Sequence, residues 1–257
     1  MIETLFVPNQ TLDDNAAGEV MANFYQPNEP EGGFGRLEEV VFKLSAHQGS
    51  SEPVIQHPAA FVFAGDHGIV SSLDLDHDSS QTEQRLQAIC SQQAAINKVA
   101  DFSNVPVQMI DVGSAADLTG FDGLQKHKIG DGTQNFSEQA AMTQEQLISA
   151  LLVGVEMAEI AKASGADLFV SGEVGMGSAQ SAVAMVSVLS GQSAEQLLGM
   201  GKQRLMSSER LQAELIEKAL TLHKDELNSP LKVLQYLGGF ETAALCGAYM
   251  RCAQIGL

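Results

Sequence analysis

Three short apolar runs punctuate the first two thirds of the chain, each rich in β-branched or aromatic residues and each closing on a glycine-containing polar turn. They are Ala60 to Ala64 before GDHG, Val105 to Ile110 before DVG, and Asp167 to Ser171 before GEVGMG. Short runs without polar alternation predict parallel strands buried on both faces. Between them, Thr82 to Ala100 brings Leu86, Ile89, Cys90, Ile96 and Val99 round at three- and four-residue steps, and Thr143 to Ala163 shows similar spacing, so both predict helices. Alternating strand and helix predicts an α/β fold with a parallel sheet and right-handed crossovers.

Past Gly177 the spacing predicts helices almost throughout: Ser181 to Leu189, Ala194 to Leu198, Ser208 to Leu222, and Leu231 to Ile255 interrupted at Gly238-Gly239. Pro230 suits a first helical turn with Ser229 as its cap. Near the start, Pro27, Pro30, Gly32, Gly33 and Gly35 predict a loop leading into an apolar helix around Leu37 to Leu44, and residues 45 to 58 read as a polar linker.

Charge narrows the partners. With 14 Lys and Arg against 32 Asp and Glu, the formal net charge of −18 repels phosphate backbones and anionic membranes, so neither nucleic acid nor membrane is expected as a partner. An anionic small ligand must then be held locally, by backbone N–H groups and helix N-termini. The three cysteines, Cys90, Cys246 and Cys252, lack CxxC spacing; Cys90 and Cys246 sit in apolar helical patterns suited to buried thiols, which predicts a reducing compartment and no zinc site. The N-terminus shows no basic stretch followed by a long apolar run, and the chain reads as cytoplasmic.

In open α/β sheets ligands bind at the carboxyl ends of the strands, and all three glycine turns fall there. The turn Gly172-Glu173-Val174-Gly175-Met176-Gly177-Ser178 is a phosphate-loop candidate, since its glycines permit close backbone approach ahead of a helix. It matches neither GxGxxG nor GxxxxGK[ST], and the same residues would serve a tight strand-to-helix connection without a ligand. Asp66 and His67 would form a hydrogen-bonded pair, orient a ribose, or join Asp74, Asp76, His77 and Asp78 around a metal; an acidic solvated loop is the simpler reading of the last four, and no metal or cofactor is assigned. His47, His57, His127 and His223 read as surface or satisfied structural residues, and Met176, Met185, Met200 and Met206 as core filler.

Taken in order, several motifs together resemble the nicotinate-nucleotide:dimethylbenzimidazole phosphoribosyltransferase family. They are PEGGFGRLE at 30–38, FAGDHG at 63–68, AAIN at 94–97, IDVG at 110–113, GTQN at 132–135, AMT at 141–143, GEVGMG at 172–177, SPL at 229–231 and GGFETAA at 238–244. The resemblance implies a Rossmann-like parallel sheet flanked by helices, with a small helical domain drawn from the chain termini, and a homodimer. Residues 1–45 would begin the small domain, 46–230 would form the nucleotide-binding domain, and 231–257 would complete the small domain or pack on the sheet.

The implied activity moves phosphoribose from nicotinate mononucleotide to a benzimidazole-type base, forming α-ribazole phosphate for cobalamin. Glu173 would serve as surrogate base. Gly172, Gly175, Met176, Gly177, Ser178, Gly199, Gly201 and Lys202 would hold the nucleotide, and Asp66 and His67 would shape the base pocket. The sequence departs from the family pattern in four ways. It ends before the His-and-Glu motif that supplies the family's base; SLDLDHDSSQT follows the GDHG turn; Gln212 stands where the family has a phosphate-binding lysine; and Ser178-Ala179-Gln180 replaces an Asn-Thr-Thr. These departures also fit a catalytically degenerate homologue that binds a nucleotide or a complementing subunit without turnover.

Overall fold

The computed structural model describes residues 5–24, 32–73, 80–201 and 205–257. Four parallel strands form its sheet: β1 (Pro58–Gly65), β2 (Val107–Gly113), β3 (Leu124–Lys126) and β4 (Leu168–Val174), in the order β3-β2-β1-β4. From β1 the chain adds β2 and β3 to one side, then crosses to place β4 on the other. The strand order therefore reverses between β1 and β4, which makes the gap between their carboxyl ends the topological switch point.

β1 is buried on both faces, and its alternate side chains feed two cores. Phe61 and Phe63, with Ile110, Val112 and Phe169, face α5 (Gln144–Ala163) and α10 (Phe240–Ile255). Val62 and Ala64, with Met109, face Leu86 of α3 (Ser80–Cys90). Phe61 stacks on Phe169 across neighbouring strands at a centroid distance of 4.7 Å. The α5–α10 crossing is close because it is built on glycine: a Cβ on Gly154 would stand 1.8 Å from the Ala244 carbonyl oxygen, and one on Gly247 would stand 2.0 Å from that of Leu151.

A third core holds Ile69 and Phe136 against α6 (Ser178–Ser190), α7 (Ala194–Leu198), α8 (Ser207–His223) and α9 (Pro230–Leu237). Ser229 caps α9 through the Lys232 N–H at 3.4 Å, with Pro230 in the first turn. Near the N-terminus, α1 (Asp14–Phe24) packs against α2 (Arg36–Gln48).

Several expectations need correction. The stretch from Thr82 to Ala100 is two helices, because Gln92 takes a left-handed φ of 62° between α3 and α4 (Ala95–Ser103). The break turns the second half of the apolar stripe outward, leaving Val99 66% exposed and Phe102 94% exposed. The N-terminal stretch contains α1, and α2 runs on to Gln48 inside the expected linker. Cys90 and Cys246 are only partly buried, whereas Cys252 is buried. Met200 and Met206 are exposed rather than in the core. Among the described residues no helix is long and apolar enough to cross a membrane.

Candidate active site

The carboxyl ends of β1, β2 and β4 are tied together by Asp66. One carboxylate oxygen accepts the Thr82 hydroxyl at 2.6 Å and the Met176 N–H at 2.8 Å; the other accepts the Ala115 N–H at 2.8 Å and the Ser114 hydroxyl at 3.4 Å. A single side chain thus holds α3, the β2 turn and the β4 turn. The backbone repeats the connection, since the His67 N–H donates to the Met176 carbonyl and the Thr133 N–H to that of Asp66, each at 2.9 Å. Asp111 accepts the Gly113 and Ser114 N–H groups at 3.1 and 2.8 Å, and its burial raises its pKa above the ordinary carboxylate value.

His67 points inward. Its Nε2 lies 2.9 Å from a Glu241 carboxylate oxygen, and both side chains are fully enclosed. Thr242 donates to the same oxygen at 2.8 Å. Burial works against both charges, yet the imidazole pKa is raised and the Glu241 pKa lowered, because each ion stabilises the other across the short contact. The glycines around the pair leave no room for side chains. A Cβ on Gly65 would stand 2.6 Å from the Glu241 carboxylate, and one on Gly239 would stand 2.3 Å from it.

Two glycines of the β4 turn are likewise explained by close approach. A Cβ on Gly175 would stand 1.7 Å from the Gly65 carbonyl oxygen. Gly177, at a φ of +89°, caps α6 with its Cα against His67 and Val70. Gly172, by contrast, faces open space. Glu173 is exposed between these glycines and pairs in register with Phe63 of β1. Its carboxyl pKa is raised, first by partial desolvation and then by the Glu241 charge; Ser178, His67 and Arg85 oppose the shift.

Residues 9–257 match a family described as phosphoribosyltransferase. The nicotinate-nucleotide–dimethylbenzimidazole phosphoribosyltransferase of Pseudomonas putida is 37% identical over 96% of this chain and 71% of its own length. This chain belongs to that family. The Azotobacter vinelandii protein of the same name is 36% identical over 96% of this chain and 70% of its own. A crystal structure of the Thermus thermophilus protein of the same name superposes with a TM-score of 0.85 at 32% identity, over 96% of this chain and 73% of that one.

Within the phosphoribosyltransferase fold, Gly172, Glu173, Gly175, Met176, Gly177 and Ser178 gather at the switch point, directly beside Asp66 and His67. The Met176 N–H is already committed to Asp66, and Asp66 and His67 lie beneath the surface. Gly199 and Gly201 follow α7, Gly201 at a φ of +74°, while Lys202 and the DLDHD residues 74–78 lie outside the described residues. Gln212 of α8 accepts a hydrogen bond from the Gln180 side chain of α6 at 3.1 Å. Sequence reasoning overlooked Thr82, Arg85 and Glu241. Glu241 had a signal available, a carboxylate opening an apolar helix directly after two glycines. A cavity of about 830 Å³ lies elsewhere, at the amino ends of the strands between α2, Leu168 and Ile255.

Proposed function

We propose that this chain transfers phosphoribose from nicotinate mononucleotide to a benzimidazole-type base, giving α-ribazole phosphate for the lower ligand of cobalamin. The observation that carries the reading is Glu173, a carboxylate of raised pKa at the carboxyl end of β4, beside the switch point and the glycine turn. A carboxylate whose pKa is raised by partial desolvation and a neighbouring acidic charge is a better proton acceptor than a solvated glutamate would be. In the reaction the ring nitrogen of the incoming base attacks the anomeric carbon. The bond to nicotinate breaks, its electron pair leaves with nicotinate, and Glu173 takes the proton from the attacking ring.

In this reading the phosphate rests at the start of α6, on Gly175, Gly177 and Ser178, where the helix N-terminus and its dipole favour an anion despite the acidic chain. Gly172 and Met176 flank the ribose, Gly199, Gly201 and Lys202 form a second phosphate loop, and Asp66 and His67 shape the base pocket from below. Residues 46–230 act as the nucleotide-binding unit, with 1–45 and 231–257 forming or covering its helical flank. The working form is a homodimer or a pairing with a complementing subunit, supported by the outward apolar stripe of Ile96, Val99 and Phe102 on α4.

The test is turnover. Purified protein given nicotinate mononucleotide and 5,6-dimethylbenzimidazole should release nicotinate and form the ribotide, followed by chromatography and mass spectrometry. Glu173→Gln should lower kcat by about 10² or more, the usual contribution of a positioned proton acceptor. Nucleotide binding without turnover across several aromatic bases would replace this reading with that of a non-catalytic homologue.

A further inference from the structure

Helix α3 meets the site from the face of the sheet opposite α5 and α10. Its first turn is fastened there. The Thr82 hydroxyl donates to an Asp66 oxygen at 2.6 Å, and the same oxygen accepts the Met176 N–H of the β4 turn at 2.8 Å. One turn further along, Leu86 is fully buried against Val62, Ala64 and Met109, and Val174 of β4 packs on the same cluster. Residues three and four apart are neighbours on a helix, so Arg85 borders the face that Thr82 and Leu86 turn to the sheet. Its own side chain is exposed. Beside α3, β4 is open. Strand alternation puts Val170, Gly172 and Val174 on the α3 side. Val170 is 45% exposed, and a Cβ on Gly172 would meet nothing within 4 Å.

We propose that Arg85 is a specificity-determining residue that pairs with the ring carboxylate of a nicotinate nucleotide seated in the open space over Gly172. This rests on the reading of the glycine turn as a nucleotide site. Glu173 borders that space, and Asp66 and Glu241 are buried behind it, so an anionic ring is repelled unless a cation faces it. His67 is sealed inside the protein and is committed to Glu241, whereas Arg85 is open to a ligand. Among the described residues no carboxylate forms an ion pair with Arg85. Its charge nevertheless favours the Glu173 carboxylate, which agrees with the placement that Thr82 and Leu86 give it. A guanidinium presents paired N–H donors that match a carboxylate and discriminate against a neutral carboxamide. An ion pair open to water contributes little, but a nucleotide lying between α3 and β4 excludes water from this one.

Calorimetric binding of nicotinate mononucleotide and nicotinamide mononucleotide tests this without requiring turnover, because the two ligands differ only in the carboxylate. The unmodified chain should bind the nicotinate form about tenfold or more tightly, the scale of one hydrogen-bonded ion pair. Arg85→Met should bring the two affinities within about twofold by weakening the nicotinate form alone, and Arg85→Lys should restore part of the preference. Raising the salt concentration should narrow the preference of the unmodified chain and leave that of Arg85→Met unchanged. Equal binding of both nucleotides by the unmodified chain, or a preference that survives Arg85→Met, overturns the inference and leaves the nucleotide site standing. Equal weakening of both ligands in Arg85→Met also overturns it, since the guanidinium would then act on the shared ribose phosphate. Binding of neither nucleotide by the folded chain overturns the inference and the nucleotide site together.

Discussion

Asp66 concentrates several roles in one carboxylate, since its two oxygens bind two backbone N–H groups and two hydroxyls from three separate segments. Substituting Asp66→Ala would leave the Met176 and Ala115 N–H groups unpaired in a buried site. It should lower unfolding stability by roughly 3 kcal/mol, measured by urea denaturation, because a lost charge-assisted bond costs more than a neutral one. The sequence marked Asp66 as functional but could not show that its oxygens are already committed. Hydrogen-bond partners 16, 49 and 110 residues away are set by tertiary packing and leave no trace in local spacing. Glu173 is the reverse case: it stands amid glycines at a strand end, where a carboxylate has no packing role, and the structure leaves it exposed. Because its pKa is raised in the folded state, Glu173→Gln should leave the melting temperature unchanged or higher while removing activity.

At the level of elements, three of the four strands and most helices could be read from periodicity, since buried parallel strands and long amphipathic helices leave strong local patterns. β3 could not. It has three residues, Leu124 to Lys126, and among the described residues pairs only with β2, so its identity comes from its neighbour rather than from its own composition. The break between α3 and α4 was also hidden, because the apolar repeat continues across it and only the left-handed Gln92 betrays the turn. The α5–α10 crossing is a feature that glycines in a helical run hint at without locating. Gly247→Ala should force these helices apart and lower stability by about 2 kcal/mol or more in chemical denaturation, as overpacking against a backbone carbonyl has no easy relief.

For the molecule as a whole, the buried ion pair makes stability depend on pH. The His67 pKa lies above its ordinary 6.5, so its contribution is fully present below that value and is lost as pH rises through the folded-state pKa. The Glu241 pKa lies below its ordinary 4.5, so its contribution is present above that value and is lost as pH falls through the folded-state pKa. Thermal melts should therefore show a plateau between these limits and a decline on the alkaline side that Glu241→Gln lacks. A net charge of −18 adds a general repulsion that grows with pH, which the same variant retains and so separates from the pair. The most direct measurement of the central claim is a crystal structure with nicotinate mononucleotide bound. The account predicts the phosphoribosyl group at the carboxyl ends of β1 and β4, its phosphate against residues 175–178 and Glu173 beside the anomeric carbon. Nucleotide bound instead in the cavity at the amino ends of the strands, with the glycine turn empty, would contradict it.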